Sequence, residues 1–257
     1  MNLFLRGWNL PLTAPSLRLL FLAHAAGKNG DEERAKGLWS ELEIRCINEP
    51  APFARLLVET AWKFGHPEES KQLAWALARN KETSAEGFRL VINQQPTSSS
   101  SREWIPIYQE MLEYLPDSPT ARRGLAYHQL MAEENVPQAA EIALAEHKKS
   151  PNKRATCHLA ALAMLRLGEI AQADALYDAL PLQKNAPAAN QAIRVAILRK
   201  MNSSDQADAL TATIDSAKLN PEGRALIEKP AETPLEKPVE EPAPDEWNEA
   251  DEPEADS

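Results

Sequence analysis

The chain of 257 residues is rich in alanine and leucine and holds only nine glycines, a composition that favours helices over strands. Its net charge is −10, but positions 229–257 contain 11 acidic and two basic residues, so the rest of the chain is nearly neutral. This balance argues against nucleic acid as a partner, because binding to phosphates requires clustered Lys and Arg. No apolar run is long enough to cross a bilayer as a helix, so the sequence predicts no transmembrane segment.

The beginning of the chain, positions 1–14, is apolar enough to cover the exposed face of the first helices, or to be the remnant of earlier repeats. The following stretch, Leu19–Ala25, ends in an Ala-x-Ala pattern that imitates a signal-peptide cleavage site. Its apolar core is short and Arg18 lies at its edge. We therefore interpret it as part of the first helix and expect a cytoplasmic protein.

A repeat dominates the rest of the chain. The pentapeptide Gln-Ala-Asp-Ala-Leu begins at Gln172 and returns unchanged at Gln206, and a related pattern begins one equal step earlier, at Gln138. A period of about 34 residues is typical of arrays of helix-turn-helix units. The second residue of the pattern marks the second helix of each unit, and equivalent markers lie at Ala35, Ser70, Trp104, Ala139, Ala173 and Ala207.

Two kinds of turn signal keep the same period. Five residues before each marker is the position of the tight turn between two helices, occupied by Gly30, Gly65, Ser99, Glu134, Gly168 and Asn202. Glycine and asparagine suit a turn residue in the left-handed region. Twelve residues after a marker, where one unit ends, the chain has Pro116 and Pro151. The sequence therefore predicts six units.

Each unit is predicted to contain two amphipathic helices. The first helices are Leu17–Ala26, Phe53–Phe64, Ala85–Gln94, Thr120–Ala132, Arg154–Leu167 and Ala188–Met201. The second helices are Glu32–Ile47, Glu68–Arg79, Arg102–Leu115, Gln138–Lys149, Gln172–Leu180 and Asp205–Lys218. One hairpin alone cannot bury both apolar stripes, so neighbouring units must stack.

The array resembles the tetratricopeptide repeats, whose second helix pairs a small residue with an aromatic one four positions later. Ala35 with Trp39 and Ala173 with Tyr177 match this pair, and Pro116 matches the turn between units. The resemblance covers about residues 15–220. It implies an all-α, right-handed α-solenoid, which we place at residues 15–228, whose first helices line a concave protein-binding face.

Three segments depart from the repeat. The run Thr97–Ser101 replaces a tight turn and is predicted to be a flexible polar insertion, with phosphorylation as the alternative. The segment Asn220–Ile227 resembles the opening of a seventh unit and would cover the last hairpin. Residues 229–257, rich in Pro, Glu and Asp, are predicted to be a disordered acidic tail that folds back on basic groups of the concave face as a tethered inhibitor.

No pattern in the sequence supports catalysis. Phosphate-binding, zinc-protease and nucleophile-elbow motifs are absent from the sequence, so we expect no enzyme activity, no metal and no cofactor. Cys46 and Cys157 lack ligand-spaced neighbours and are interpreted as small buried apolar residues. The adjacent pair Cys157 and His158 cannot act together, because neighbouring helix residues point about 100° apart.

The predicted function is a protein-interaction scaffold. If the first helices line the concave face, its partner-binding residues are His128, Met131, His158, Leu162, Arg166, Arg199 and Lys200. Arg166 and Lys200 are one repeat period apart and form a basic column that either pairs with acidic or C-terminal carboxylate groups of a partner or merely caps helix ends. An alternative function is an accessory or regulatory segment of a larger enzyme or cell-envelope complex. The oligomeric state stays open.

Overall fold

A computed structural model describes residues 14–183 and 185–228. This part of the chain is all-helical, with thirteen α-helices and one short 3-10 helix, Ser216–Lys218. In chain order the α-helices are α1 (Pro15–Lys28), α2 (Glu32–Cys46), α3 (Ala51–Lys63), α4 (Pro67–Ala78), α5 (Ser84–Gln94), α6 (Ser101–Tyr114), α7 (Pro119–Ala132), α8 (Val136–Lys149), α9 (Arg154–Leu167), α10 (Ile170–Ala179), α11 (Ala188–Lys200), α12 (Ser204–Thr211) and α13 (Pro221–Ile227). All but the last residue of the predicted N-terminal cap or remnant at 1–14, and the whole acidic tail at 229–257, lie outside the described residues.

Consecutive helices pack as hairpins, as the apolar stripes of the sequence require. The two helices of each predicted unit contact each other, and neighbouring first helices also pack together, α1 on α3, α3 on α5, α7 on α9 and α9 on α11. The stretch that imitates a signal peptide lies inside α1, where Leu20 and Ala23 are fully buried. None of the helices in the described ranges is long and apolar enough to cross a membrane.

The repeated pentapeptide forms part of the packing between helices. Its alanines Ala173 and Ala207 are fully buried, and they allow close approach of the first helix of the same unit. Cys46 and Cys157 are buried and free, as expected for small apolar residues. Burial raises the pKa of Cys46 to about 12, so its thiol stays protonated and unreactive at neutral pH.

The predicted turn positions have the left-handed backbone in four of the six units. Gly30, Gly65, Gly168 and Asn202 all have positive φ. In the fourth unit the left-handed residues are Glu133 and Asn135, on either side of the predicted Glu134. In the third unit Ser99 is not left-handed, because the chain leaves α5 in an extended conformation and begins α6 with a side-chain cap instead.

We expect the Gly168→Ala substitution to lower the free energy of unfolding by about 1 kcal/mol, because φ is 80° at this position and a Cβ atom disfavours that region. A Cβ atom there would meet no other group within 4 Å, so backbone strain alone is tested. The matched change Asn202→Gly, at φ 60°, is expected to be neutral or slightly stabilising. Urea unfolding of both variants measures the effect, and an unchanged Gly168→Ala protein would contradict it.

The Ser-rich segment is ordered, which corrects the prediction of a flexible insertion. Ser99 and Ser101 are buried, and Ser100 is the N-cap of α6 in a capping box with Glu103. Serine clusters are favoured at helix starts because their hydroxyl groups accept hydrogen bonds from unpaired backbone N–H groups. The polar run is therefore a helix start.

The second helix of the sixth unit is shorter than predicted. It ends at Thr211 rather than Lys218. The hydroxyl groups of Thr211 and Thr213 donate to the carbonyl groups of Ala207 and Leu210, both at 2.7 Å, and such side-chain bonds compete with helical backbone bonds. The chain then turns back toward the middle of the array.

Candidate partner-binding groove

The seven predicted partner-binding residues lie on α7, α9 and α11, but their exposure differs greatly. Four of them, His128, Met131, His158 and Leu162, are buried among the helices of the chain itself. Arg166 and Arg199 are partly buried and bonded to neighbouring elements, and Lys200 is exposed at the end of α11. Their role as partner contacts stays a prediction. His128 and His158 together line a small pocket between α7 and α9, and Met131 lines a separate cleft, whereas Leu162 is fully enclosed.

Arg166 joins two neighbouring first helices. Its guanidinium group donates to the carbonyl groups of Leu130 (2.9 Å) and Met131 (3.3 Å) at the end of α7 and pairs with Glu133 at 2.6 Å. Helix ends leave such carbonyl groups unpaired, and a cation there also complements the helix dipole. Of the two roles considered for this arginine, the geometry favours capping the preceding helix.

Arg199 holds the C-terminal segment rather than lying free in a groove. It donates to the carbonyl group of Ile227 and lies 3.6 Å from a carboxylate oxygen of Asp208. Arg166 and Lys200 therefore do not form a matched column, since one is engaged with α7 and the other is exposed.

His158 is part of a short hydrogen-bonded chain. Its Nδ1 lies 3.2 Å from the hydroxyl of Tyr177, and that hydroxyl donates to the carbonyl group of Asn190 at 3.4 Å. Because the Tyr177 proton goes to Asn190, Nδ1 of His158 carries a proton and donates to Tyr177. Burial, and then Arg154, lower the pKa of His158, so it stays neutral and links α9 to α10 and α11.

His128 is enclosed by aromatic rings. It stacks on Trp104 (5.1 Å between ring centroids) and on Tyr108 (5.5 Å), and its Nδ1 lies 3.2 Å from Oγ of Ser101. Gly124 makes room for this stack, because a Cβ atom there would lie 2.3 Å from the Tyr108 ring. Burial lowers the pKa of His128 to about 4, so the ring is neutral at physiological pH.

The last described helix, α13, covers this region. It packs on α11 and on α7. Leu219, just before the helix, and Leu226, within it, are buried in the same apolar core as Met131 and Leu162. A cleft of about 640 Å³ lies between α13 and the facing ends of α6, α7 and α9. We call the surface of α6, α7, α9 and α11 beneath α13, together with this cleft, the C-terminal groove.

Polar contacts fix the start of α13 on the start of α6. Glu222 accepts hydrogen bonds from the Ser100 hydroxyl (2.5 Å) and the Ser101 backbone N–H (3.0 Å), and Asn220 donates to Oγ of Ser101 at 3.0 Å. Burial alone would raise the pKa of Glu222, but these hydrogen bonds outweigh it and hold the pKa below its usual range. The carboxylate is therefore ionised and lies at the positive end of the α6 dipole.

On α3, the first helix of the predicted second unit, the positions equivalent to His128 and Met131 are partly or fully exposed to solvent. In the fourth unit His128 and Met131 lie eleven and eight residues before the marker. In the second unit the residues with this spacing are Glu59 and Trp62. Trp62 is 44% exposed. Glu59 pairs with Arg55 at 3.2 Å.

An ion pair on the next first helix extends this open surface. On α5 Arg89 donates to Glu86 at 2.8 Å, and the charges of Arg55 and Glu59 act on this pair. We call Arg55, Glu59, Trp62, Glu86 and Arg89 the N-terminal face. These five residues were missed in the sequence analysis, although the spacings of eleven and eight residues before the marker select two of them, Glu59 and Trp62.

A second cleft, of about 850 Å³, lies between α2 and α4 and is lined by Trp39, Phe64 and His66. Nδ1 of His24 lies 2.8 Å from Nε2 of His66, so one ring nitrogen donates a hydrogen bond to the other. The two rings therefore cannot both carry a proton on these nitrogens at the same time. Burial, His66 and Lys28 lower the pKa of His24. Nothing in the sequence pointed to this pair, because the two histidines belong to different units.

No protein-family model matches the chain, and no curated protein and no solved structure matches it. Within residues 14–183 and 185–228, no three His, Cys, Asp or Glu side chains are grouped so that they could hold a metal ion. Any assignment of function therefore depends on the C-terminal groove and the N-terminal face.

Proposed function

We propose that the chain is a scaffold of six tetratricopeptide-like units, arranged as a right-handed α-solenoid, that binds a helical or extended segment of a protein partner along its first helices. The observation that carries the proposal is α13, a short helix that lies against first helices α7 and α11. A surface that holds a helix of its own chain has the shape and the bonding groups for a helix of another chain. The proposal assigns no catalytic residue.

The open part of this surface is the N-terminal face. It combines an exposed aromatic side chain, Trp62, with the charged groups of Arg55, Glu59, Glu86 and Arg89. Aromatic and arginine side chains contribute most to the free energy of protein association, whereas paired surface charges mainly set orientation. A partner segment with an apolar anchor flanked by charges of both signs fits this arrangement.

We expect the Trp62→Ser substitution to weaken capture of a partner roughly tenfold or more, as for an aromatic hot spot. Full-length protein would serve as bait in cross-linked capture from cells of its source organism, with the captured proteins quantified by mass spectrometry. The matched control is Ile44→Ser, which removes an exposed apolar side chain (67% exposed) from a second helix, α2. A partner set that is equal for both variants would contradict partner binding at the N-terminal face.

A further inference from the structure

We propose that the C-terminal groove is itself a recognition site for a partner helix that carries a carboxylate in its first turn and a leucine four residues later, and that α13 occupies this site until such a partner displaces it. The inference deepens the proposed function and depends on it, because it assumes that the first helices bind partner segments. It adds that α13 covers the C-terminal part of the array and that a partner helix with a carboxylate and a leucine displaces it.

The first argument is the carboxylate contact. The start of α6 offers a serine hydroxyl and a backbone N–H to one oxygen of Glu222, at 2.5 and 3.0 Å. Both groups are donors at the positive end of a fourteen-residue helix, so they select an acceptor with negative charge. Glu222 stands at the second position of α13, and Leu226 is buried one turn later. A ligand helix therefore needs these two groups at the same spacing.

The second argument is that α13 fits this site imperfectly. It has only seven residues, and the cleft of about 640 Å³ beside it is lined by Met131 and Arg166 on one side and by Ala225 on the other. The second carboxylate oxygen of Glu222, Oε2, is buried and has no hydrogen-bond partner among the described residues. A longer helix with a bulkier side chain at the position of Ala225 would fill the cleft, so a partner can bind better than the chain's own segment.

The third argument is the tether. Only residues 212–220 separate the end of α12 from the start of α13. A short tether gives the attached helix a millimolar effective concentration, so weak contacts suffice to keep the site occupied. A free peptide with the same contacts competes poorly until the contacts of α13 are removed.

The test uses a fluorescent peptide with the sequence of residues 218–228 and the full-length protein. In the variant Glu222→Ala/Leu226→Ala the tethered helix loses its two main contacts, and we expect the peptide to bind at least about tenfold more tightly than to the wild type. A peptide with glutamine in place of the glutamate should lose at least about fivefold in affinity for the variant, because the carboxylate contact is lost. The matched control protein is Glu228→Ala, which changes an exposed residue just after α13 and should bind like the wild type.

Hydrogen exchange of the wild-type protein gives a second readout that does not depend on the folding of the variant. Peptide added above the millimolar effective concentration of the tethered helix should accelerate exchange in residues 219–227 and leave α9 unchanged. Equal peptide affinity for variant and wild type, together with unchanged exchange, would overturn the inference. If these results overturn the inference but partner capture still depends on Trp62, the proposed function stands. If partner capture is unchanged by the Trp62→Ser substitution while the peptide binds the variant as expected, only the assignment of the N-terminal face is wrong.

Discussion

Replacing Gly87 by alanine is expected to lower the free energy of unfolding by about 3 kcal/mol, the upper range for overpacking a close contact. Gly87 lies on α5 where this helix meets the end of α4, and a Cβ atom there would lie 2.0 Å from the backbone nitrogen of Ala78 and 2.4 Å from the carbonyl carbon of Leu77. Both atoms belong to the backbone, so no side chain can rotate away. Either helix must shift, which would disturb the packing of Phe88.

The matched control is Gly37→Ala on α2. This glycine is exposed, is also within a helix, and a Cβ atom there would meet no group within 4 Å. Alanine is favoured over glycine in a helix by about 1 kcal/mol, so the control protein should be more stable than the wild type. Urea unfolding monitored by circular dichroism measures both. Changes of the same sign in the two variants would contradict the explanation by close helix contact.

The repeat period predicted the first twelve helices, two for each predicted unit, because helix starts and turns obey local rules that recur with the period. The left-handed residues at Gly30, Gly65 and Gly168 follow from the same rules. The end of α12 could not be predicted from the period. Its threonine hydroxyl groups bond to the helix backbone there, a local effect that the repeat pattern does not carry.

The covering of the C-terminal groove could not be predicted for a different reason. Ser101 and Asn220 are 119 residues apart, and their hydrogen bond follows no repeat spacing. The marker spacing placed His128 and Leu162 on first helices correctly, but exposure depends on what else packs there. The position of Arg166 in the repeat left two roles open, pairing with a carboxylate of a partner or capping a helix end. Its hydrogen bonds to the end of α7 favour capping.

Acid is expected to destabilise the folded chain through His128. Its pKa is about 4 in the folded chain and 6.5 when unperturbed, chiefly because burial disfavours the charged ring. Above pH 6.5 the ring is neutral in both states, and between pH 6.5 and 4 only the unfolded chain binds the proton. Stability therefore falls as the pH decreases through this range, by about 3 kcal/mol in all.

The neighbours of His128 limit how this charge can be accommodated. Trp104 and Tyr108 stack on the ring and offer no hydrogen-bond acceptor to it. Oγ of Ser101 accepts from Asn220 and lies 3.2 Å from Nδ1 of the ring, where a hydroxyl can either donate to Nδ1 or accept from it. The carboxylate of Glu222 raises the pKa of His128, but by less than burial lowers it.

The variant His128→Gln isolates this effect, because it retains polar atoms near Ser101 but cannot titrate. We expect the stability difference between wild type and variant to change by about 3 kcal/mol between pH 7 and pH 4, with the wild type losing more. Taking this difference between two proteins cancels the titration of every other group to first order. Urea unfolding at a series of pH values measures it. A difference that stays constant from pH 7 to pH 4 would show that burial beside Trp104 and Tyr108 does not lower the pKa of the His128 ring.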